Sequence, residues 1–219
     1  MSSFENILFD LDGTLTDPGI GITNSVIYAL KKYNIEVNDR SELYKFIGPP
    51  LLDSFMRFYG FTAEEARRAI DYYREYFSVR GLLENAVYDD IPDLLKDLKD
   101  NGKTLIVATS KPQVFAEQIL EHFKIDKYFS FISGSTLDET RTQKAEVIEY
   151  ALESMNISDL SKTVIIGDRE HDVLGAKKVG IKSIGVLYGY GSRDELEKAG
   201  ADYIVGSVRE IKHIVLKQE

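Results

Sequence analysis

Asp10 and Asp12 stand two residues apart, directly after the apolar run of residues 6–9 and before Gly13 and Thr14. A carboxylate pair at the end of a buried strand can bind a hard cation such as Mg²⁺, which takes oxygen ligands. An Asp-Gly step is also ordinary turn chemistry, so this pair alone leaves both readings open. The pattern recurs at residues 164–168, where an apolar run ends in Gly167 and Asp168, with Asp172 four residues on. A helix starting just after Asp168 places Asp172 in its first turn, near the same strand end. Clustered carboxylates repel one another and raise each other's pKa unless a cation intervenes. Two acidic strand ends on one crevice therefore imply a metal more strongly than either does alone.

A third strand end, residues 105–108, runs into Thr109, Ser110 and Lys111. Hydroxyls followed by a helix N-terminus suit a phosphate, because backbone N–H groups there point outward; ordinary helix capping is the competing reading. Lys144 begins the helix that contains Ile148. A cation there is mildly unfavourable, so its position alone does not single it out. His171, among the acids, reads as a surface or capping residue. Gly189 and Gly191 lack the third glycine of a dinucleotide fingerprint, and the chain has no Gly-x-x-x-x-Gly-Lys-Ser/Thr loop.

These residues need a scaffold that brings strand ends together. Short apolar runs at 6–9, 105–108, 131–132, 164–166, 183–187 and 203–205 alternate with amphipathic helical patterns, among them Ile91, Leu94, Leu95 and Leu98, and Ile148, Ala151, Leu152 and Met155. That alternation predicts an α/β fold, a Rossmann-like parallel sheet covered on both faces. Ligands of such sheets sit outside the carboxyl ends of the strands. Residues 18–88 break the pattern: they show helical stripes (Ile22, Val26, Leu30, Tyr33; Ala66, Ala69, Ile70, Tyr73, Phe77), a capping box from Thr62 to Glu65, and no convincing strand. Residues 46–50, with Gly48 and two prolines, read as an exposed turn. The expected division is a core of residues 1–17 and 89–219 with an all-helical cap at 18–88.

Composition supports that division. The 219-residue chain carries 27 basic and 36 acidic side chains, a net charge of −9. Residues 18–88 are neutral, so the excess of acid lies in the core. The acidic balance argues against a nucleic-acid polymer as partner. There are no cysteines, which excludes disulfides, thiolate metal sites and a cysteine nucleophile. With no apolar run of about 18 residues and no signal-like start, the expectation is a soluble cytoplasmic protein without a membrane partner.

Taken together, Asp10-Leu11-Asp12-Gly13-Thr14, Thr109, Lys144, and Gly167-Asp168 with Asp172 resemble, in order and spacing, the four motifs of the haloacid dehalogenase superfamily of phosphotransferases. The inserted helical cap matches that family too. The resemblance implies that Asp10 is the nucleophile and forms an aspartyl-phosphate. Asp12 would be the general acid and base. Mg²⁺ would be held by Asp10, the Asp12 carbonyl and Asp168, with Asp172 assisting directly or through water. Thr109 would bind a phosphoryl oxygen, with Ser110 a competitor for that role, and Lys144 would supply positive charge. A sugar-phosphate mutase shares these motifs and is the alternative within the family. A phospho-receiver domain is the alternative outside it, though it has no place for the insertion. Residues 47–50, 168–172 and 187–191 look like the branch holding phosphoglycolate phosphatase-like enzymes and bacterial 5′-nucleotidases. The implied partner is a small phosphorylated metabolite, with nucleoside monophosphates slightly favoured over 2-phosphoglycolate. Tyr and Phe make up 13 of the 71 residues in 18–88; helical packing is the favoured reason, and a stacking face for a nucleobase is the other.

Overall fold

The computed structural model describes residues 4–138 and 140–216. Its strands are β1 (Asn6–Phe9), β2 (Thr16–Asp17), β3 (Ala86–Val87), β4 (Thr104–Pro112), β5 (Phe131–Ser135), β6 (Thr163–Gly167), β7 (Lys182–Val186) and β8 (Tyr203–Val205). Six of them form one parallel sheet in the order β5-β4-β1-β6-β7-β8. β1 is central because it can be buried on both faces: Ile7, Leu8 and Phe9 are all fully enclosed. Ile7 and Phe9 join the larger core, while Leu8 packs on the other face with Ile106, Ile165, Val147 and Ile148. The chain builds outward from β1 in both directions, so the crevice where strand order reverses opens beside it.

The helices are α1 (Gly19–Lys31), α2 (Leu51–Tyr59), α3 (Ala63–Tyr76), α4 (Ile91–Asp100), α5 (Gln113–His122), α6 (Lys144–Ser154), α7 (Glu170–Val179), α8 (Arg193–Ala199) and α9 (Val208–Val215). α3 begins at the expected capping box: Glu65 N–H donates to Thr62 Oγ1 at 3.2 Å, and Thr62 N–H donates to Glu65 Oε2 at 2.9 Å. No described helix is long and apolar enough to cross a membrane.

Between β2 and β3 the chain is helical, comprising α1, a 3-10 turn at Arg40–Phe46, α2, α3 and a π-helical turn at Phe77–Gly81. Two sequence expectations differ here. A strand does occur within 18–88: β3 pairs antiparallel with β2, Thr16 opposite Val87 and Asp17 opposite Ala86. Two residues are too few for a period-2 pattern to register. The turn at 46–50 is present but not exposed. Phe46 and Ile47 are buried, and the Ile47 carbonyl accepts from Arg169 Nη1 of the sheet side. Its apolar half turns inward because the helical segment lies against the strand ends.

Candidate active site

Asp10 follows the last residue of β1, and its N–H donates to the Ile166 carbonyl of β6 at 2.8 Å. Beyond it the chain folds back tightly: the Leu11 carbonyl accepts from Leu15 and Thr16 N–H at 2.9 and 3.0 Å. Gly13 makes this loop possible twice over. Its φ is +86°, and a Cβ there would stand 2.3 Å from Asp168 Oδ2. Gly167, which ends β6, is needed for space alone, since a Cβ would meet the Asp172 carboxyl at 2.2 Å.

Asp10, Asp168 and Asp172 are all buried, and each offers an oxygen within 4.8 Å of the others. Asp172 is the third residue of α7, and its Oδ2 accepts the Arg169 N–H at 3.1 Å, capping the helix. Its Oδ1 faces Lys144 Nζ at 2.8 Å, off hydrogen-bond alignment. Asp168 Oδ2 accepts the Tyr190 N–H at 2.7 Å, whereas its buried Oδ1 has no partner. Lys144, 6% exposed, opens α6 and donates to Asp10 Oδ1 at 2.8 Å and to the Ala108 carbonyl at 3.0 Å. The unfavourable helix-end position is outweighed by the Asp10 and Asp172 carboxylates. Burial opposes its charge, yet Asp10 and Asp172 hold its pKa above the ordinary lysine value.

Thr109 is buried in the irregular end of β4, and its Oγ1 accepts the Lys111 N–H at 3.2 Å, leaving its own proton to donate. Ser110 instead lines a cavity. The helix expected directly after them starts only at Gln113, because β4 runs on to Pro112. Sequence reasoning assigned nothing to Lys111. It lies 8% exposed with Nζ 2.5 Å from Asp12 Oδ2. The signal was its place next to the Thr109-Ser110 pair, but a lysine at a strand end is ordinarily solvated.

The cavity, about 290 Å³, opens on Asp12, Ser110 and Lys111 and is walled by Phe46, Tyr73, Phe77 and Phe115. Most aromatic rings of 18–88 pack on one another, such as Phe46 on Phe55 and Tyr33 on Phe61. Only some of them reach the cavity, so packing accounts for most of the enrichment.

Four carboxylates here face two ammonium groups. Burial pushes Asp168 well above the usual carboxylate range, with Asp172 and Asp10 adding repulsion; burial also raises Asp172 and Asp12 against the pull of Lys144 and Lys111. The unpartnered Asp168 Oδ1, the all-oxygen donors and the uncompensated charge fit a hard divalent cation held by Asp10 and Asp168. Asp172, committed to α7 and Lys144, is better suited to act through water. Acids with raised folded pKa bind protons preferentially in the folded state, so their contribution to stability falls as pH rises from the unfolded value through the folded one. A divalent cation bound by these carboxylates would replace those protons. The rise in melting temperature on adding Mg²⁺ should therefore be larger at pH 8 than at pH 5; an equal rise at both would place the ion elsewhere.

A sequence model of the family described as haloacid dehalogenase-like hydrolase matches residues 7–186. A 5′-nucleotidase of Pseudomonas aeruginosa is 53% identical over 193 residues, covering 88% of this chain and 87% of its own length. The tyrosine-protein kinase PtkA of Mycobacterium tuberculosis is 38% identical over 198 residues, covering 90% of this chain and 67% of its own. The crystal structure of a predicted phosphatase from Clostridium acetobutylicum superposes with a TM-score of 0.97 at 55% identity, covering 99% of this chain and all of its own.

Proposed function

The chain belongs to the haloacid dehalogenase-like hydrolases and is a phosphatase, and on that premise we propose that it hydrolyses nucleoside monophosphates with Mg²⁺ through an aspartyl-phosphate on Asp10. The observation carrying this reading is the juxtaposition of Asp10, gripped by Lys144, with Asp12, which lines a cavity of about 290 Å³, room enough for an organic leaving group.

In the first step a carboxylate oxygen of Asp10 attacks phosphorus and the ester P–O bond breaks, its electron pair leaving with the alkoxide. Asp12 gives that oxygen a proton; burial, which raises its pKa, favours the protonated form this requires. In the second step Asp12 takes a proton from water as the water oxygen attacks phosphorus. The bond to Asp10 breaks, inorganic phosphate leaves, and both carboxylates return to their starting states. Lys144 holds one Asp10 oxygen by a hydrogen bond and so directs the carboxylate, and the Thr109 hydroxyl is placed to donate to a phosphoryl oxygen. Asp10 and Asp168 would hold Mg²⁺, which supplies charge neutralisation between the anionic nucleophile and the phosphoryl oxygens.

The helical segment 18–88 serves in this reading as a cap on the core of residues 1–17 and 89–219. It closes the cavity with Phe46, Tyr73 and Phe77, and the Phe115 ring completes an aromatic wall from the other side. Such a wall suits a planar base, and the high identity to a 5′-nucleotidase supports the same substrate class. A panel of phosphate esters tests it. Nucleoside 5′-monophosphates should exceed 2-phosphoglycolate and hexose phosphates in kcat/KM by about tenfold or more, the range that differential pocket contacts provide. Preference for 2-phosphoglycolate would overturn the substrate class, and an isomerised hexose phosphate in place of free phosphate would make the enzyme a mutase.

A further inference from the structure

We propose that Lys111 is the positioning residue for the Asp12 carboxylate, and that Phe77 of the helical segment fixes Lys111 in turn. The proposal rests on the phosphatase reading of Asp12. Lys111 Nζ is the side-chain donor to Asp12 Oδ2, at 2.5 Å, while the buried Asp12 Oδ1 has no partner among the described residues. One oxygen is thus anchored and the other left to carry the proton. The same lysine gives its backbone N–H to Thr109 Oγ1, so a single residue orients both the acid and the phosphate-facing hydroxyl.

On its far side the Lys111 ammonium stands 4.7 Å from the centre of the Phe77 ring. A cation over a ring face is attracted by the ring quadrupole, more so when water is excluded. Phe77 lies where α3 widens into the π-helical turn Phe77–Gly81, a geometry that often marks functional positions. Its ring meets Phe115 of α5 edge to face at 5.4 Å between centres. The ammonium is therefore clamped between a carboxylate of the sheet side and an aromatic face of the inserted helices. If those helices swing outward, the ring leaves and Lys111 loses one of its two anchors. Asp12 is then held in its working position only while the segment is closed, which ties leaving-group protonation to a site shielded from bulk solvent.

Proton donation requires the acid within hydrogen-bond reach of the leaving oxygen, and a misplacement of about 1 Å costs on the order of 10²-fold. The full-length Lys111→Met variant should be compared with the wild type on p-nitrophenyl phosphate, whose phenolate leaves readily without a proton, and on a nucleoside 5′-monophosphate, whose alkoxide does not. The expected result is a fall of about 10²-fold in kcat/KM for the nucleotide against less than about fivefold for the aryl ester, because kcat/KM reports leaving-group departure and not the later hydrolysis. Phe77→Leu should shift the two substrates in the same direction by a smaller factor, and Lys111→Arg should recover part of the nucleotide rate. Equal losses on both esters, or an unchanged nucleotide rate, would overturn the proposal. A crystal structure of Lys111→Met decides independently of turnover: a displaced Asp12 carboxylate supports the proposal, and an unmoved one refutes it. A wild-type enzyme inactive on both esters would defeat the phosphatase reading of Asp12, while that crystal structure would still decide whether Lys111 sets the carboxylate.

Discussion

Asp10→Asn is expected to lower kcat for Mg²⁺-dependent phosphate release by at least about 10³-fold while the protein stays folded. An amide oxygen is a poor nucleophile toward phosphorus, and no other described side chain shares the Lys144 grip and the strand-end position of Asp10. The fold should survive because the change is isosteric and Lys144 retains Asp172 at 2.8 Å and the Ala108 carbonyl at 3.0 Å. Neutralising one of three crowded buried carboxylates also relieves repulsion that burial intensifies. Phosphate release and thermal melting by circular dichroism, measured on the same preparation, check both halves. Near-native turnover by this variant would remove Asp10 from the nucleophile role.

Lys144→Met should have the largest effect on stability. It deletes the cation between Asp10 and Asp172 and leaves these carboxylates and Asp168 buried together. Breaking a buried pair by removing one partner typically costs about 3–5 kcal/mol, because the remaining charge is uncompensated. Denaturant titration in a chelator should show this loss, and added Mg²⁺ should recover part of it by supplying countercharge at the same carboxylates. Combining the change with Asp10→Asn should cost less than Lys144→Met alone, because one of the carboxylates left without its cation is then neutral. A titration midpoint unchanged from the wild type would mean that the lysine contributes no net stabilisation.

The strands were readable because a central parallel strand must be apolar on both faces, as residues 6–9 are. The acids were readable because carboxylates directly after such runs have few reasons to exist other than turns or metals. Asp172 could be placed from the helical period alone, since a start just after Asp168 fixed it in the first turn of α7. Other contacts depend on chain segments far apart in sequence. The Tyr190 N–H that holds Asp168 arrives from the loop after β7, and the phenol of that tyrosine reaches Asp17 at the end of β2. Lys111 reads as a surface lysine until tertiary packing sets Asp12 on one side of it and Phe77 on the other. The inward turn at 46–50 likewise depends on Arg169, whose guanidinium also pairs with Glu195 at 2.8 Å. Each of these is a pairing across the fold, for which local pattern carries no signal.

The central place of β1 in the sheet also bears on how the protein assembles during synthesis. Asn6 pairs with Thr104 on one side and with Thr163 on the other, so the strand that aims Asp10 leaves the ribosome long before either neighbour exists. The helices between β2 and β3 contact one another locally and can settle first, since local contacts close small loops. β1 must wait as an unpaired apolar segment, exposed to aggregation or to chaperones. Once β4 and then β6 have emerged, its pairing brings Asp10 against the Asp168 strand end. The acidic site is thus among the last features of the molecule to form, and an incomplete chain ending before β6 cannot assemble it.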